Sequence, residues 1–175
     1  MIKKLIRTIP DFPKAGIRFR DITPLIGDAQ GFAHVTRAFA DRYHGKVDKI
    51  AAIEARGFIF GSAIAHVLGA GFVPIRKPGK LPGKSIAHEY TLEYGSNKVE
   101  VHVDAVAKGE RVLVVDDLLA TGGTANAALT LLEQMGASVV ECAFVVELND
   151  LGGRKRIEQR GYGVHALCGF TEDES

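Results

Sequence analysis

The segment VLVVDDLLATGGT, residues 112–124, contains the pattern that decides the fold of this chain. Four apolar residues typical of a buried strand run into two adjacent carboxylates, Asp116 and Asp117. A loop of small residues and hydroxyls follows at once, and a helical pattern begins at Thr124. A strand that leads through a short loop into a helix is the repeating unit of α/β proteins with parallel sheets. Ligands of such sheets bind at the carboxyl ends of the strands, so the acid pair predicts a binding site.

The same alternation of strands and helices extends on both sides of this segment. Apolar stretches predict strands at 49–53, 72–76, 111–115, 138–148 and about 163–168, and helices at 57–69, 124–135 and about 151–160. Two segments of period two, EYTLEYG and NKVEVHVD, predict a hairpin. Upstream, we expect a short amphipathic helix before Pro10, a shaped loop over 10–27, and a helix capped by Asp28. The pattern predicts a single α/β domain, 1–175, with a central, mostly parallel sheet of about five strands flanked by helices.

Composition and charge restrict the class of protein. The chain has 175 residues, 46% of them hydrophobic and 25% charged, which is ordinary for one soluble globular domain. Its 22 basic and 21 acidic residues leave a net charge of +1, which argues against a nucleic-acid partner. No apolar run approaches the ~20 residues of a membrane-spanning helix, and the charged N-terminus does not resemble a signal peptide. Cys142 and Cys168 lie far apart in apolar stretches, so we expect reduced thiols in a cytoplasmic protein without membrane partners.

The residues after the predicted strand favour an anion site. Gly122 and Gly123 let the backbone approach an anion closely, and the free N–H groups of the following helix complete a cradle. The hydroxyls of Thr121 and Thr124 add donors. Directly upstream, the acid pair can accept hydrogen bonds from sugar hydroxyls or hold a hydrated Mg²⁺. A solvated turn is the alternative for an isolated Asp–Asp pair, but the whole segment favours a site for a ribose phosphate. No G-x-x-x-x-G-K-[ST] sequence occurs, so this is not a Walker loop.

Five motifs in this order carry a family resemblance: PDFPKAGIRFRDITPL, IEARGFIFG, IRKPGKLPG, YTLEYG and VVDDLLATGGT. Together they resemble the adenine phosphoribosyltransferases, a branch of the type I phosphoribosyltransferases, from about residue 10 to about residue 150. The resemblance implies an N-terminal hood over the base (about 10–27), a flexible lid hairpin (about 77–96) and a phosphoribosyl-diphosphate motif (112–124).

The resemblance also implies an activity. Such a transferase of purine salvage moves the phosphoribosyl group of 5-phosphoribosyl 1-diphosphate to N9 of adenine, giving AMP and pyrophosphate. Mg²⁺ is the implied cofactor, and a homodimer is the implied assembly.

Two basic segments are candidates for binding the pyrophosphate. Arg56 follows a predicted strand and opens a helix, so backbone donors and a guanidinium form a second anion site. The resemblance implies that Glu54, Ala55 and Arg56 bind substrate here, with a cis peptide between Glu54 and Ala55. A cluster of positive charges around a Pro/Gly loop suits a mobile lid over a polyphosphate. The pyrophosphate contacts that the family implies in this loop are Arg76, Lys77 and Lys80.

Contacts with the base and the 5-phosphate are also implied by the resemblance. Glu93 on the lid is the candidate proton-transfer group at the purine, and Tyr94 beside it is a candidate substrate contact. In the hood, Arg18 and Arg20 mark main-chain positions expected to recognise adenine, and Phe19 packs nearby. The implied substrate contacts of the phosphoribosyl motif are Leu118, Ala120, Thr121, Gly122, Gly123 and Thr124. The implied catalytic residues are Asp116 and Asp117, which the resemblance also implies orient the metal through water.

Two other functions remain open on the sequence. One is the same transfer reaction with hypoxanthine or xanthine as the base. Only the family resemblance of the hood and of YTLEYG favours adenine over these bases. The other is a regulator on the same fold that binds nucleic acid without catalysis. The balanced charge disfavours the regulator, and it would leave the hood, Glu93 and the lid lysines without a role.

Overall fold

A parallel sheet of five strands forms the centre of the fold, and helices cover both of its faces. The computed structural model describes residues 2–91, 96–172 and 174. In chain order the strands are β1 Arg7–Ile9, β2 Phe19–Asp21, β3 Lys49–Ile53, β4 Gly71–Ile75, β5 Ser85–Thr91, β6 Ser96–His102, β7 Arg111–Leu119, β8 Ser138–Leu148 and β9 Val164–Phe170. The helices are α1 Thr23–Gly27, α2 Ala29–Tyr43, α3 Arg56–Leu68, α4 Gly123–Gln134 and α5 Gly153–Glu158, and short 3₁₀ helices span Ile2–Leu5 and Asn149–Leu151.

The strands of the central sheet follow the order β4-β3-β7-β8-β9, and all neighbours are parallel. The predicted α/β class is therefore confirmed. Helices α2 and α3 pack on one face around Phe39 and Phe60, and α4 packs on the other around Leu129. Because both faces are covered, β7 is apolar without interruption from Val112 to Val115. Within residues 2–91 and 96–172, no helix has the length and apolar character needed to cross a membrane.

The N-terminal segment differs from its prediction. The expected amphipathic helix is reduced to the 3₁₀ helix Ile2–Leu5, and β1 follows it. The prediction was wrong because Arg7–Ile9 pair with Phe19–Asp21, which lie inside the segment expected to be a loop. The hood is thus a two-stranded antiparallel ribbon followed by α1. The predicted cap of the next helix is confirmed, since Asp28 accepts a hydrogen bond from the N–H of Gly31 at 2.6 Å.

Three further boundaries differ from prediction. Strand β7 was expected to end at Val115 but continues through the acid pair to Leu119, because β8 pairs with it along that length. The helix expected near 151–160 divides into the second 3₁₀ helix and α5. The predicted hairpin is present as β5–β6, but it begins earlier, at Ser85. Residues 92–95, between its strands, lie outside the described residues.

Candidate active site

A crevice opens between β3 and β7, where the strand order of the sheet reverses. Strand β4 lies on one side of β3 and β7 on the other. Strand β3 pairs with β7 only from Val112 to Val115, and beyond that point β7 continues beside β8 alone. Ligands of open α/β sheets bind at such a reversal, outside the carboxyl ends of the strands. The cavity there has a volume of about 230 Å³ and is lined by Ile53, Glu54, Ala55, Arg56, Ile75, Arg76, Lys77, Tyr90, Asn97, Lys98, Val99, Asp116, Asp117, Leu118 and Thr124.

The acid pair lies on the edge of β7 that faces this crevice. Asp117 is 4% exposed, and its Oδ2 lies 2.8 Å from Nε of Arg56. The two atoms form an ion pair by distance, yet within the described residues this buried oxygen accepts no hydrogen bond. Oδ1 of Asp116 accepts a hydrogen bond from the N–H of Asp117 at 2.9 Å. The pair therefore keeps hydrogen-bond acceptor capacity that the described part of the chain does not use.

Without a bound ligand, burial and mutual repulsion disfavour the ionised forms of Asp116 and Asp117. Burial raises the pKa of Asp116 well above its ordinary value, and the adjacent charge of Asp117 adds to the shift. Burial also raises the pKa of Asp117, although Arg56 opposes this shift. Two ionised carboxylates in a poorly solvated site repel each other. A cation or a set of hydroxyl donors bound in the crevice would relieve that repulsion.

The turn after β3 brings a second set of polar groups to the crevice. The peptide between Glu54 and Ala55 is cis, as the family resemblance implies. Glu54 accepts hydrogen bonds from Nε and Nη2 of Arg76, both at 3.1 Å, and from the N–H of Lys77 at 3.0 Å. The bonds from Arg76 are the main cause that holds the pKa of Glu54 below its ordinary value. The carboxylate of Glu54 is thus occupied in orienting these two basic residues.

Close packing at Gly57 holds the start of α3 against the acid pair. A Cβ at this position would lie 2.8 Å from Oδ1 of Asp116 and 3.1 Å from the carbonyl oxygen of Val115. Those distances leave no room for a side chain. The amino end of α3, with its free N–H groups and the positive end of its dipole, is thereby fixed beside a carboxylate.

The loop after β7 has the geometry of a phosphate cradle. Gly122 adopts φ +76°, a left-handed conformation that favours glycine, and α4 begins at the next residue. A Cβ at Gly122 would lie 3.0 Å from the carbonyl oxygen of Gly153, so the loop rests backbone to backbone on the start of α5. The first N–H groups of a helix lack partners within the helix and can bind an anion.

Two side chains beside this loop were missed by the sequence analysis. The hydroxyl of Tyr90 lies 2.9 Å from Oγ1 of Thr124, and Tyr90 lines the cavity. A Cβ at Gly123 would lie 3.2 Å from the ring of Tyr90 and 3.8 Å from Nη1 of Arg156. Tyr90 belongs to a quoted motif, and its strand periodicity was a signal that could have identified it. Arg156 has no such signal, because only the packing of α5 brings it to the loop.

The hood reaches the crevice through Phe19. Its ring centroid lies 5.2 Å from Cζ of Arg56 and 5.2 Å from the ring centroid of Phe12. The guanidinium groups of Arg18 and Arg20 extend instead to the last residues of the chain, where they donate to main-chain carbonyls. These two side chains are therefore engaged within the protein.

The remaining predicted residues occupy different places. Ala55, Arg56, Arg76, Lys77, Leu118 and Thr124 line the cavity. Ala120, Thr121 and Gly122 form the adjoining loop, and Gly123 is the first residue of α4. Lys80 is exposed, and its carbonyl oxygen accepts a hydrogen bond from Nη1 of Arg76 at 3.1 Å. Glu93 and Tyr94 lie outside the described residues.

The oxygen donors of the acid pair fit a hydrated Mg²⁺. Among the described residues, no group of three His, Cys, Asp or Glu side chains could hold a metal ion by itself. The acid pair offers two carboxylates, and among the described residues the buried Oδ2 of Asp117 is ion-paired with Arg56 but accepts no hydrogen bond. Mg²⁺ usually keeps several waters and binds through one or two carboxylates together with substrate phosphates. The donor set therefore suits an ion that arrives with a diphosphate, and not an ion enclosed by protein.

Comparisons with known proteins agree with this geometry. A profile of the phosphoribosyl transferase domain matches residues 26–165. The adenine phosphoribosyltransferase of Methylobacillus flagellatus is 56% identical over 174 residues, 99% of each chain. The crystal structure of the Thermoanaerobacter pseudethanolicus adenine phosphoribosyltransferase has a TM-score of 0.92 and 52% identity, covering 97% of this chain and 98% of that one.

A more distant structure extends the comparison to a complex. It is the Saccharomyces cerevisiae adenine phosphoribosyltransferase, complexed with D-2,5-dideoxy-2,5-imino-altritol 1,6-bisphosphate and adenine. Its TM-score is 0.90 at 40% identity, covering 95% of this chain and 96% of that one. By these similarities, the chain belongs to the adenine phosphoribosyltransferases, within the phosphoribosyl transferase family.

Proposed function

We propose that this chain transfers the phosphoribosyl group of 5-phosphoribosyl 1-diphosphate to N9 of adenine, giving AMP and pyrophosphate in purine salvage. One observation carries the proposal. The acid pair of β7 lines one crevice together with the turn after β3 and with Thr124, which follows the loop after β7, and we propose that both of these elements bind anions. A ribose with a phosphate at one end and a diphosphate at the other matches that arrangement.

Each end of the donor has its own group of residues. The loop 120–124 would hold the 5-phosphate with backbone N–H groups and threonine hydroxyls, and the Tyr90 hydroxyl supports Thr124 from the lid hairpin. Arg76 and Lys77 would contact the pyrophosphate, since Glu54 orients both of them. Asp116 and Asp117 would accept hydrogen bonds from the ribose hydroxyls or hold waters of Mg²⁺. When bound, Mg²⁺ neutralises negative charge on the diphosphate.

In the reaction, the bond from C1 of the ribose to pyrophosphate breaks and the bond from C1 to N9 of adenine forms. Pyrophosphate leaves with the bonding electron pair, the ribose becomes oxocarbenium-like, and the N9 proton is lost to a base. The protein's tasks are to hold both ends of the donor, neutralise the leaving group and exclude water. The proposed general base, which accepts this proton, is Glu93, and it lies outside the described residues.

Adenine is proposed as the base for two reasons. The relative from Saccharomyces cerevisiae was solved with adenine. In this chain, Phe19 of the hood lies against Arg56 at the mouth of the crevice, where a purine could stack. Main-chain groups of residues 18–20 would then recognise the exocyclic amino group.

A single assay tests the proposed function. The chain would be supplied with 5-phosphoribosyl 1-diphosphate, Mg²⁺ and, in turn, adenine, hypoxanthine, guanine or xanthine, and pyrophosphate release would be measured. We expect adenine to be preferred in kcat/KM by up to ~10⁴-fold, because a site built for its amino donor leaves polar groups unpaired with an oxo base. Equal turnover of adenine and hypoxanthine would refute the adenine assignment. No turnover of any base would refute the transferase.

We further propose a cytoplasmic homodimer with small-molecule substrates and no nucleic-acid partner. Cys142 and Cys168 are both unpaired, as suits a reducing compartment, and burial raises the pKa of Cys142 to about 12. The net charge of +1 favours no polyanionic partner. Helix α3 is apolar on both sides: Phe60 and Ile64 are buried, and the outer side carries the stripe Ile59, Ala63 and Val67. A second copy covering that stripe would complete its burial.

A further inference from the structure

The buried arginine of the hood is held by the end of the chain. Arg20 lies in β2 and is only 3% exposed. Its Nη2 donates to the carbonyl oxygens of Glu174 at 2.6 Å and Thr171 at 3.4 Å, and its Nη1 donates to the hydroxyl of Thr8. Its Cζ lies 4.2 Å from the ring centroid of Phe170, the last residue of β9. Both main-chain acceptors of this guanidinium therefore come from the residues that follow β9.

Those following residues, Thr171, Glu172 and Glu174, are called the tail here. The carboxylate of Glu174 accepts a hydrogen bond from the N–H of Thr171 at 3.0 Å, so the tail folds onto itself. The same carboxylate accepts bonds from Nζ of Lys3 at 2.7 and 2.9 Å. Arg18 donates to the carbonyl oxygen of Glu172. Three cations of the N-terminal segment thus converge on a tail that belongs to no strand or helix.

Within the described residues, the hood strand pairs only with the three-residue β1, whose Arg7 also donates hydrogen bonds to Asp21. An isolated two-stranded ribbon of this kind is marginally stable in water. A buried guanidinium that loses its acceptors must find others or move into water. Displacement of the tail would therefore shift Arg20, and with it the main chain of residues 18–20.

We infer that the tail is a positioning element for base recognition: by holding Arg20, it fixes the main chain that the proposed function assigns to adenine. The inference rests on that proposed function. The phosphoribosyl-diphosphate site lies on β3, β7 and α4, and none of the tail residues lines its cavity. Loss of the tail should therefore weaken adenine binding and leave donor binding almost unchanged.

A double-mutant cycle tests this coupling. The variants are Arg20→Gln, a chain ending at Phe170, and the two combined, each measured for KM of adenine, KM of donor and Tm. We expect each single change to raise KM of adenine roughly tenfold, the scale of a lost hydrogen bond to a charged group, with KM of donor within about twofold. Because both changes remove the same contact, the combined variant should be no worse than the poorer single variant.

Milder variants cover the case in which truncation unfolds the chain. Glu174→Gln weakens the bonds from Lys3 and Thr171 and removes a negative charge near Arg20, and it should raise KM of adenine by about twofold to threefold. Arg20→Lys keeps one donor and should recover part of the loss seen with Arg20→Gln. Glu133→Gln is the control, since it breaks comparable bonds from Arg160 and Tyr162 outside the hood and should leave both KM values unchanged.

The results separate three conclusions. A selective and non-additive rise in KM of adenine supports the positioning role. Wild-type KM of adenine in the shortened chain, or equal rises for both substrates together with a lower Tm, would overturn it. A wild-type protein that turns over hypoxanthine but not adenine refutes the base assignment of the proposed function, independently of what the tail variants do.

Discussion

Asp116 and Asp117 place two carboxylates side by side in a poorly solvated crevice. The proposed function requires their negative charges, whereas the stability of the fold favours their neutral forms. The fold raises the pKa of both groups, which means that it favours their neutral forms. At neutral pH, ionised carboxylates at these positions should therefore lower the free energy of unfolding. Active sites commonly retain such costs because the charge is required by the bound state.

The first prediction follows from this opposition. We expect Asp116→Asn and Asp117→Asn to lower kcat by ~10²-fold or more, because each removes a preorganised charge from the site. The Tm of both variants should equal or exceed that of the wild type, since a neutral amide replaces a disfavoured charge. Asp41→Asn, at an exposed position of α2, is the matched control and should change neither quantity. A fall in Tm that parallels the loss of activity would assign the pair a structural role.

Gly57 is the second position where a single residue determines the site. In Gly57→Ala the new Cβ would meet Asp116 and the backbone of β7, so α3 or the carboxylate must move. Such overpacking costs about 1–3 kcal/mol of unfolding free energy, and we expect a lower Tm together with a lower kcat. Gly27→Ala is the control, because no atom lies within 4 Å of its Cβ position. Wild-type activity in Gly57→Ala would show that α3 need not approach β7 so closely.

At the scale of elements, the lid hairpin carries the proposed proton-transfer group. Glu93→Gln should lower kcat by ~10²–10⁴-fold, the usual cost of losing a general base. Tm and the affinity for the donor, measured by calorimetry, should change little. Glu89→Gln is the control, since Glu89 is exposed on β5 and pairs in register with Lys98. If the Glu93 variant turns over like the wild type, the proton must leave through water or the backbone.

The elements also differ in how well the sequence predicted them. The strands of the central sheet and helices α2 to α4 were predicted because an apolar run or a helical stripe is a local signal. The end of β7 was not, because Asp116 to Leu119 remain in the strand only through their pairing with β8. Strand β1 was missed for the same reason, since its partner β2 follows after a long loop.

At the scale of the whole molecule, the outer side of α3 is the proposed dimer interface. Val67 is 55% exposed in the single chain and continues the outward-facing apolar stripe of Ile59 and Ala63. We expect Val67→Glu to convert a dimer into a monomer in sedimentation velocity at micromolar concentration, because a charge buried at an interface is strongly unfavourable. Gln30→Glu, exposed on α2, should leave the wild-type mass unchanged. A monomeric wild type would refute the proposed homodimer.

The sequence by itself determined the α/β class, the order of the central strands and of helices α2 to α4, and the chemical character of the candidate site. These follow from local patterns: an apolar strand, two acids, small residues and a helix start within 112–124. The quoted motifs also indicated the family, which the comparisons confirm.

Only the tertiary structure decided how those parts meet. It placed the strand reversal between β3 and β7, paired Arg56 with Asp117, brought Tyr90 to Thr124 and laid the tail on Arg20. Each of these contacts joins residues far apart in the chain. Their energy comes from burial and pairing in the assembled fold, so no local pattern of residues encodes them.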